Sequence, residues 1–166
     1  MAMAMLNRRT LLGGVGAVAL AVGLRWLTEA NGHAEPFEIE KSDSEWRRIL
    51  TKAQYEVLRL HHTEMPGSSP LNGEKRKGIF ACAACDLPLF SWDTKYDSRT
   101  GWPSFWKPLE NALGRKTDYV LLFPRTEVHC RRCGGHLGHV FEDGPQPTGL
   151  RYCINGVALN FISDAV

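Results

Sequence analysis

Two C-x-x-C pairs and one isolated cysteine are the residues of this chain best suited to chemistry. Cys82 and Cys85 form the first pair, Cys130 and Cys133 the second, with 44 residues between Cys85 and Cys130. A tight turn aims both thiolates of such a pair at one point, so two pairs supply the four ligands of a closed tetrahedral zinc site. Gly134-Gly135 permits the turn after the second pair. Two vicinal disulfides are the alternative in an exported chain. The fifth thiol, Cys153, stands in Arg151-Tyr152-Cys153-Ile154-Asn155. In a strand, Arg151, Cys153 and Asn155 share one face. A guanidinium two residues away favours the nucleophilic thiolate. Asn155 is suited to hold a polar substrate group or a water. A buried structural cysteine is the other reading of a lone thiol.

Two further groups offer polar or apolar contacts. His136-Leu137-Gly138-His139 follows the second pair. Its histidines are metal ligands, acid–base and hydrogen-bonding groups facing a pocket, or ordinary loop residues. Asp143, four residues beyond His139, is able to orient one of them. His61, His62 and His129 have no such context and read as surface residues. Gly101-Trp102-Pro103-Ser104-Phe105-Trp106 is a dense aromatic turn. Trp102 and Phe105 are either core or the wall of a site for a soft, polarisable methyl-thioether group.

The elements that must position these residues follow from periodicity and breakers. Ser44–Leu50 reads as a first helix capped by Asp43 or Ser44, and Thr51-Lys52-Ala53-Gln54 as a capping box opening a second helix through about Leu60. Trp46, Ile49, Leu50, Tyr55 and Leu58 are the expected core-facing set. Residues 61–78 carry breakers and read as irregular. Beyond them, Gly78–Ala81, Leu87–Ser91, Tyr119–Pro124, Glu127–His129, His139–Glu142 and Arg151–Phe161 are candidate strands. Their spacing indicates a mainly β, antiparallel fold stapled by one zinc ion.

Charge and the N-terminal segment bound the function further. The formal net charge is +2, with 20 Lys/Arg against 18 Asp/Glu. Residues 1–34 contain Arg8, Arg9, Arg25 and Glu29, leaving 17 residues of each sign in the remainder. A neutral remainder argues against nucleic-acid binding as the main task. Arg8-Arg9 precedes an apolar run, Leu11–Leu24, that is shorter than the roughly 20 residues of a comfortable bilayer span. With Gly32-His33-Ala34 as a cleavage region, 1–34 resembles a twin-arginine export signal. A general secretory signal or an uncleaved anchor is the alternative. Residues 35–43 read as a linker and 44–166 as the working domain, exported to the periplasm or the exterior, with no stable membrane span after processing.

From about Ser44 to Ile162 the chain resembles the B-type methionine sulfoxide reductases, which reduce the R epimer of methionine sulfoxide. The resemblance rests on Cys82-Ala83-Ala84-Cys85, Thr100-Gly101-Trp102-Pro103-Ser104-Phe105, Cys130 through Phe141 (CRRCGGHLGHVF), and Arg151-Tyr152-Cys153-Ile154-Asn155. It implies two antiparallel sheets in a small zinc-stapled sandwich or barrel with short N-terminal helices. It implies Cys153 as the nucleophile that becomes a sulfenic acid, and His139 as the group that protonates or polarises the sulfoxide oxygen. Arg151 and Asn155 accompany the nucleophile. His136, Asp143 and Asn155 belong to the polar half of the substrate site, Trp102 packs on the methyl group and Phe105 lies in the same aromatic string. Cys82, Cys85, Cys130 and Cys133 match the structural zinc ligands. Many members carry a resolving cysteine where this chain has Thr100. The sulfenic acid is therefore expected to be reduced by an external thiol, a thioredoxin-like protein or a small dithiol. The substrate is expected to be oxidised methionine in proteins or peptides, and the enzyme a monomer. A non-catalytic binding module and a thiol peroxidase are the rival readings.

Overall fold

The computed structural model describes residues 36–119 and 123–164. The expected export signal, residues 1–34, lies outside the described residues. Among the described residues, no helix is long and apolar enough to cross a membrane.

Two short helices lead into the sheets. α1 spans Asp43–Ile49 and α2 spans Lys52–Leu60. Both begin with complete capping boxes, Ser42 with Glu45 and Thr51 with Gln54. Each such cap is worth about 1 kcal/mol, a useful increment in helices too short to stand alone. Trp46, Leu50, Tyr55, Val57 and Leu58 are buried. Ile49, expected in the core, is 56% exposed because α1 ends there and the chain turns; Val57 is buried instead.

Among the described residues nine strands follow: β1 Gly78–Cys82, β2 Pro88–Ser91, β3 Lys95–Tyr96, β4 Ser104–Phe105, β5 Leu113–Asp118, β6 Arg125–Cys130, β7 His136–Phe141, β8 Arg151–Ile154 and β9 Leu159–Ser163. They form a three-stranded sheet in the order β2-β1-β9 and a six-stranded sheet in the order β3-β4-β8-β7-β6-β5. Every strand pairing is antiparallel. The expected strand Arg151–Phe161 is two strands, split by a 3-10 turn at Gly156–Ala158 that carries the chain from one sheet to the other. The expected strand at Tyr119–Pro124 falls partly on residues outside those described, and the preceding strand is Leu113–Asp118.

Aromatic side chains join the sheets. Phe105 stacks on Phe90 at 4.2 Å and meets Phe80 edge-on at 5.0 Å. All three are fully buried, as are Leu89, Val128 and Ile154. Such ring pairs add about 0.5–1.5 kcal/mol beyond their area. They fix the six-stranded sheet, and with it β8, against the rest of the core.

Candidate active site and thiolate cluster

Cys153 lies near the middle of the six-stranded sheet. β8 is flanked by β4 and β7, with Ser104 directly opposite Cys153 on one side and His139 on the other. The row continues to Tyr96 through β3 and to Glu127 and Lys116 through β6 and β5. Directly opposed residues of antiparallel strands project on one face, so six chemically active side chains share a face. β7 reaches β8 this closely because of Gly138, where a Cβ would collide with the Cys153 carbonyl oxygen.

The half-buried Cys153 thiol is pushed up from its ordinary pKa by burial; a contact with Thr100 and the charge of Arg151 only partly oppose this. The sequence alone predicts that Arg151 favours the thiolate. It does so by its charge and a hydrogen bond, while Asp143 holds the guanidinium in two bonds of 2.8 Å, from Nε to Oδ1 and from Nη2 to Oδ2. That pair spends much of its charge, and desolvation of the thiolate prevails. Asp143, expected to orient a histidine, has this other partner. A line of hydroxyls ends on the sulfur: Ser104 Oγ to Ser98 Oγ 2.7 Å, Ser98 Oγ to Thr100 Oγ1 2.8 Å, and Thr100 Oγ1 to Cys153 Sγ 3.9 Å.

Both histidines of the HLGH segment have carboxylate partners that the sequence does not single out. His139 Nε2 donates to Asp118 Oδ2 at 2.7 Å, and Arg125 donates to the same oxygen at 2.6 Å. Burial pushes the His139 pKa down, with Asp118 opposing, which favours the neutral ring with its proton on Nε2. His136, almost fully buried, meets Glu127 Oε1 through Nδ1 at 2.8 Å. Glu127 is itself 3% exposed. Its burial favours the acid form, but bonds to His136 and Lys116 win and bring its pKa down to about 2. A buried carboxylate needs such partners to offset a desolvation penalty of several kcal/mol. His136 Nε2 and the Tyr96 hydroxyl are buried with no hydrogen-bond partner among the described residues.

Glu64 ties the aromatic turn to the turn after Cys153. The Trp102 indole Nε1 donates to the Glu64 carbonyl at 3.1 Å. The Glu64 carboxylate accepts the backbone N–H groups of Gly156 at 2.6 Å and Val157 at 3.0 Å. The Glu64 N–H donates to Asn155 Oδ1 at 2.9 Å, and Asn155 Nδ2 donates to the Leu137 carbonyl at 3.0 Å. The buried Asn155 amide is thus committed to backbone groups, which makes it a positioning residue. Trp102 is half-buried and in reach of a ligand. Phe105, grouped with it from the sequence, is part of the core: it pairs with Tyr152, one position away from the Ser104–Cys153 pair, and so points to the opposite face. A cleft of about 740 Å³ is lined by Gln54, Val57, Glu64, Val157 and Phe161, not by Cys153 or Trp102.

The four paired cysteines converge from both sheets. Cys82 closes β1 and Cys130 closes β6. Cys82 Sγ lies 3.8 Å from Cys133 Sγ, and Cys85 Sγ 3.5 Å from Cys130 Sγ. Four sulfurs at about 2.3 Å from a tetrahedral ion stand about 3.8 Å apart, so the donor set and its spacing fit a metal such as zinc. Each knuckle is turned by backbone bonds, Asp86 N to Cys82 O at 2.8 Å and Gly134 N to Cys130 O at 2.9 Å. The expected linker also packs here: Ile39 N donates to Arg132 O at 3.0 Å, Glu38 pairs with Arg131, and Phe37 meets His129 edge-on at 5.7 Å.

Comparison with known proteins agrees with this geometry. Residues 50–163 match the SelR domain family. A protein of Methanosarcina barkeri named peptide methionine sulfoxide reductase MsrB is 56% identical over 124 residues, covering 74% of this chain and 87% of that relative. The same name belongs to a protein of Agrobacterium fabrum, 51% identical over 75% of this chain and 93% of its own length, and to one of Pseudomonas putida, 52% identical over 75% and 94%.

Proposed function

The chain belongs to the SelR-domain family of B-type peptide methionine sulfoxide reductases, oxidoreductases of protein repair, and from that premise we propose that its Cys153 reduces the R epimer of methionine sulfoxide. The observation that carries the reading is Cys153 in direct register with His139, beside an indole fastened through Glu64 to the turn that follows the thiol.

In this reading Trp102 packs against the methyl group of the substrate and Cys153 attacks the sulfoxide sulfur. The resting thiol is protonated and the resting His139 neutral, which burial of each favours. His139 takes the thiol proton as the sulfur attacks and delivers it to the sulfoxide oxygen, while Asp118 steadies the transient imidazolium. The sulfoxide oxygen ends on Cys153 as a sulfenic acid and methionine leaves, so no net proton is consumed. Two external thiols then return Cys153 to the thiol, releasing water and forming their own disulfide. A thioredoxin-like protein or a small dithiol fits that role, because Thr100 Oγ1 is the side-chain group 3.9 Å from the sulfur where a resolving thiol would be needed. His136 and the Arg151–Asp143 pair complete the polar side of the site.

Cys82, Cys85, Cys130 and Cys133 would hold one structural zinc ion, away from the reaction. Residues 1–34 act as a twin-arginine-like export signal and 35–43 as the joint to the catalytic domain at 44–166. The enzyme works as a monomer in the periplasm or outside the cell, on oxidised methionines of polypeptides. A single-turnover assay tests the reaction: the purified chain is mixed with separated R and S epimers of a methionine sulfoxide peptide without reductant. About one methionine per chain from the R epimer alone is expected. No methionine from either epimer, with the protein folded and its metal bound, would replace this reading with that of a binding module.

A further inference from the structure

We propose that His61, Glu127 and His136 form a second divalent-cation site, separate from the four-cysteine cluster, whose occupation by zinc lowers activity. Their three donor atoms lie within 4.8 Å of one another. Two imidazoles aim the same nitrogen at one carboxylate oxygen: His136 Nδ1 is 2.8 Å and His61 Nδ1 3.3 Å from Glu127 Oε1. Donors bonded at about 2.0–2.2 Å to a tetrahedral ion stand about 3.3–3.6 Å apart, so small side-chain shifts complete the site. Two imidazoles and one carboxylate, with the fourth position left to water, are the donor set of open zinc sites.

Burial differs usefully among the three. His136 and Glu127 are fixed inside the protein, whereas the His61 side chain is 47% exposed at the end of α2 and forms the entry. Lys116 holds the other carboxylate oxygen, Oε2, at 3.0 Å and is half exposed. It therefore leaves Oε1 to the ion as a single-oxygen ligand, and its ammonium opposes binding by charge repulsion. An entering cation displaces the proton of His136 Nδ1 to solvent and holds the ring by the nitrogen that now faces Glu127. The ion adds positive charge to a ring 5.5 Å from that of His139, where the proposed reaction itself develops positive charge, so zinc would lower activity as its free concentration rises.

The test uses zinc chloride titrated by calorimetry into the Cys153→Ser protein already carrying one zinc per chain at the four cysteines, which removes the reactive thiol as a ligand. A second equivalent is expected. His61→Asn, which keeps a residue tolerant of the left-handed backbone at this position (φ 59°), should weaken it at least tenfold. Lys116→Gln should tighten it severalfold by removing the competing charge. Absence of a second equivalent, or one that neither substitution changes, would overturn the proposal. With Cys153 restored, the second equivalent should suppress single-turnover methionine formation in the parent and not in His61→Asn. That arm rests on the reductase reading. Calorimetry does not, so the failure of one is distinguishable from the failure of the other.

Discussion

His139 and Cys153 are direct cross-strand partners in the β7–β8 ladder, and the ring of one is held by Asp118 on β5, two strands beyond. The relative placement of this imidazole and this thiol is therefore set by the hydrogen-bond register of one sheet. Burial moves their pKa values in opposite senses, the thiol up and the imidazole down, and both shifts favour the uncharged forms.

The thiol shift is measurable in the free enzyme. Alkylation of Cys153 by iodoacetamide should accelerate with rising pH, with a midpoint above that of an ordinary cysteine. The sign follows from burial disfavouring the thiolate. Arg151→Met should move the midpoint further up, since the guanidinium opposes the shift. A midpoint below the ordinary value would contradict the desolvated site.

Asp118→Asn tests the orientation of His139. The amide keeps the shape but cannot stabilise an imidazolium, so kcat should fall by about 10- to 100-fold with KM little changed. Wild-type kcat in a folded Asp118→Asn protein would remove His139 from proton transfer.

Glu64 should act on recognition. Glu64→Ala frees the Gly156 and Val157 N–H groups and loosens the turn after Cys153, so KM should rise severalfold. Glu64→Gln retains an acceptor oxygen and should recover much of the loss. Trp102→Ala should raise KM more than either while leaving the melting temperature nearly unchanged. Unaltered KM in Trp102→Ala would place the methyl group elsewhere.

The four-cysteine cluster should govern stability. Cys82→Ser is expected to abolish stoichiometric zinc and lower the melting temperature markedly, because the ligands bridge strands of both sheets. Elemental analysis with thermal denaturation checks both. An unchanged melting temperature in the zinc-free protein would end the structural role.

Thr100→Cys should create an internal route for regeneration. The native hydroxyl is already 3.9 Å from Cys153 Sγ. After one turnover on the R epimer, the variant should lose two free thiols, against one in the parent, and form a disulfide between the introduced thiol and Cys153, visible by peptide mapping. Persistence of both thiols would mean that the two positions are not aligned for exchange.

The chain's chemistry is legible where local patterns dictate it. The C-x-x-C spacing announces the thiolate cluster, and Thr51 with Gln54 announces the start of α2. Alternation around Cys153 marks its strand and its Arg151 neighbour. What escapes depends on contacts distant in sequence. Leu113–Asp118 is an edge strand with mostly polar, exposed residues and so lacks the alternating apolar signal, yet it delivers Asp118. Glu127 looks like any surface glutamate until the ladder buries it beneath His136. Glu64 lies in an irregular stretch, 91 residues from the Asn155 it holds. Phe105 misleads because neighbouring aromatics in a turn give no indication of which one faces the core. Asp143 misleads because proximity in sequence suggests a histidine, whereas its partner is an arginine.

The fastening of Trp102 and the Gly156 turn to one glutamate outside both sheets has a consequence for how such a site diversifies. The separation between the indole and the sulfur is set by a loop residue, while the strands carrying Cys153 and His139 are locked by their own ladder. Substitutions at the exposed positions flanking Glu64, residues 62–68, are therefore free to reshape the mouth of the site for differently crowded side chains without repacking the interior. Selection for new substrates would be drawn to that loop first, and the Cys153–His139 pairing would be inherited unchanged.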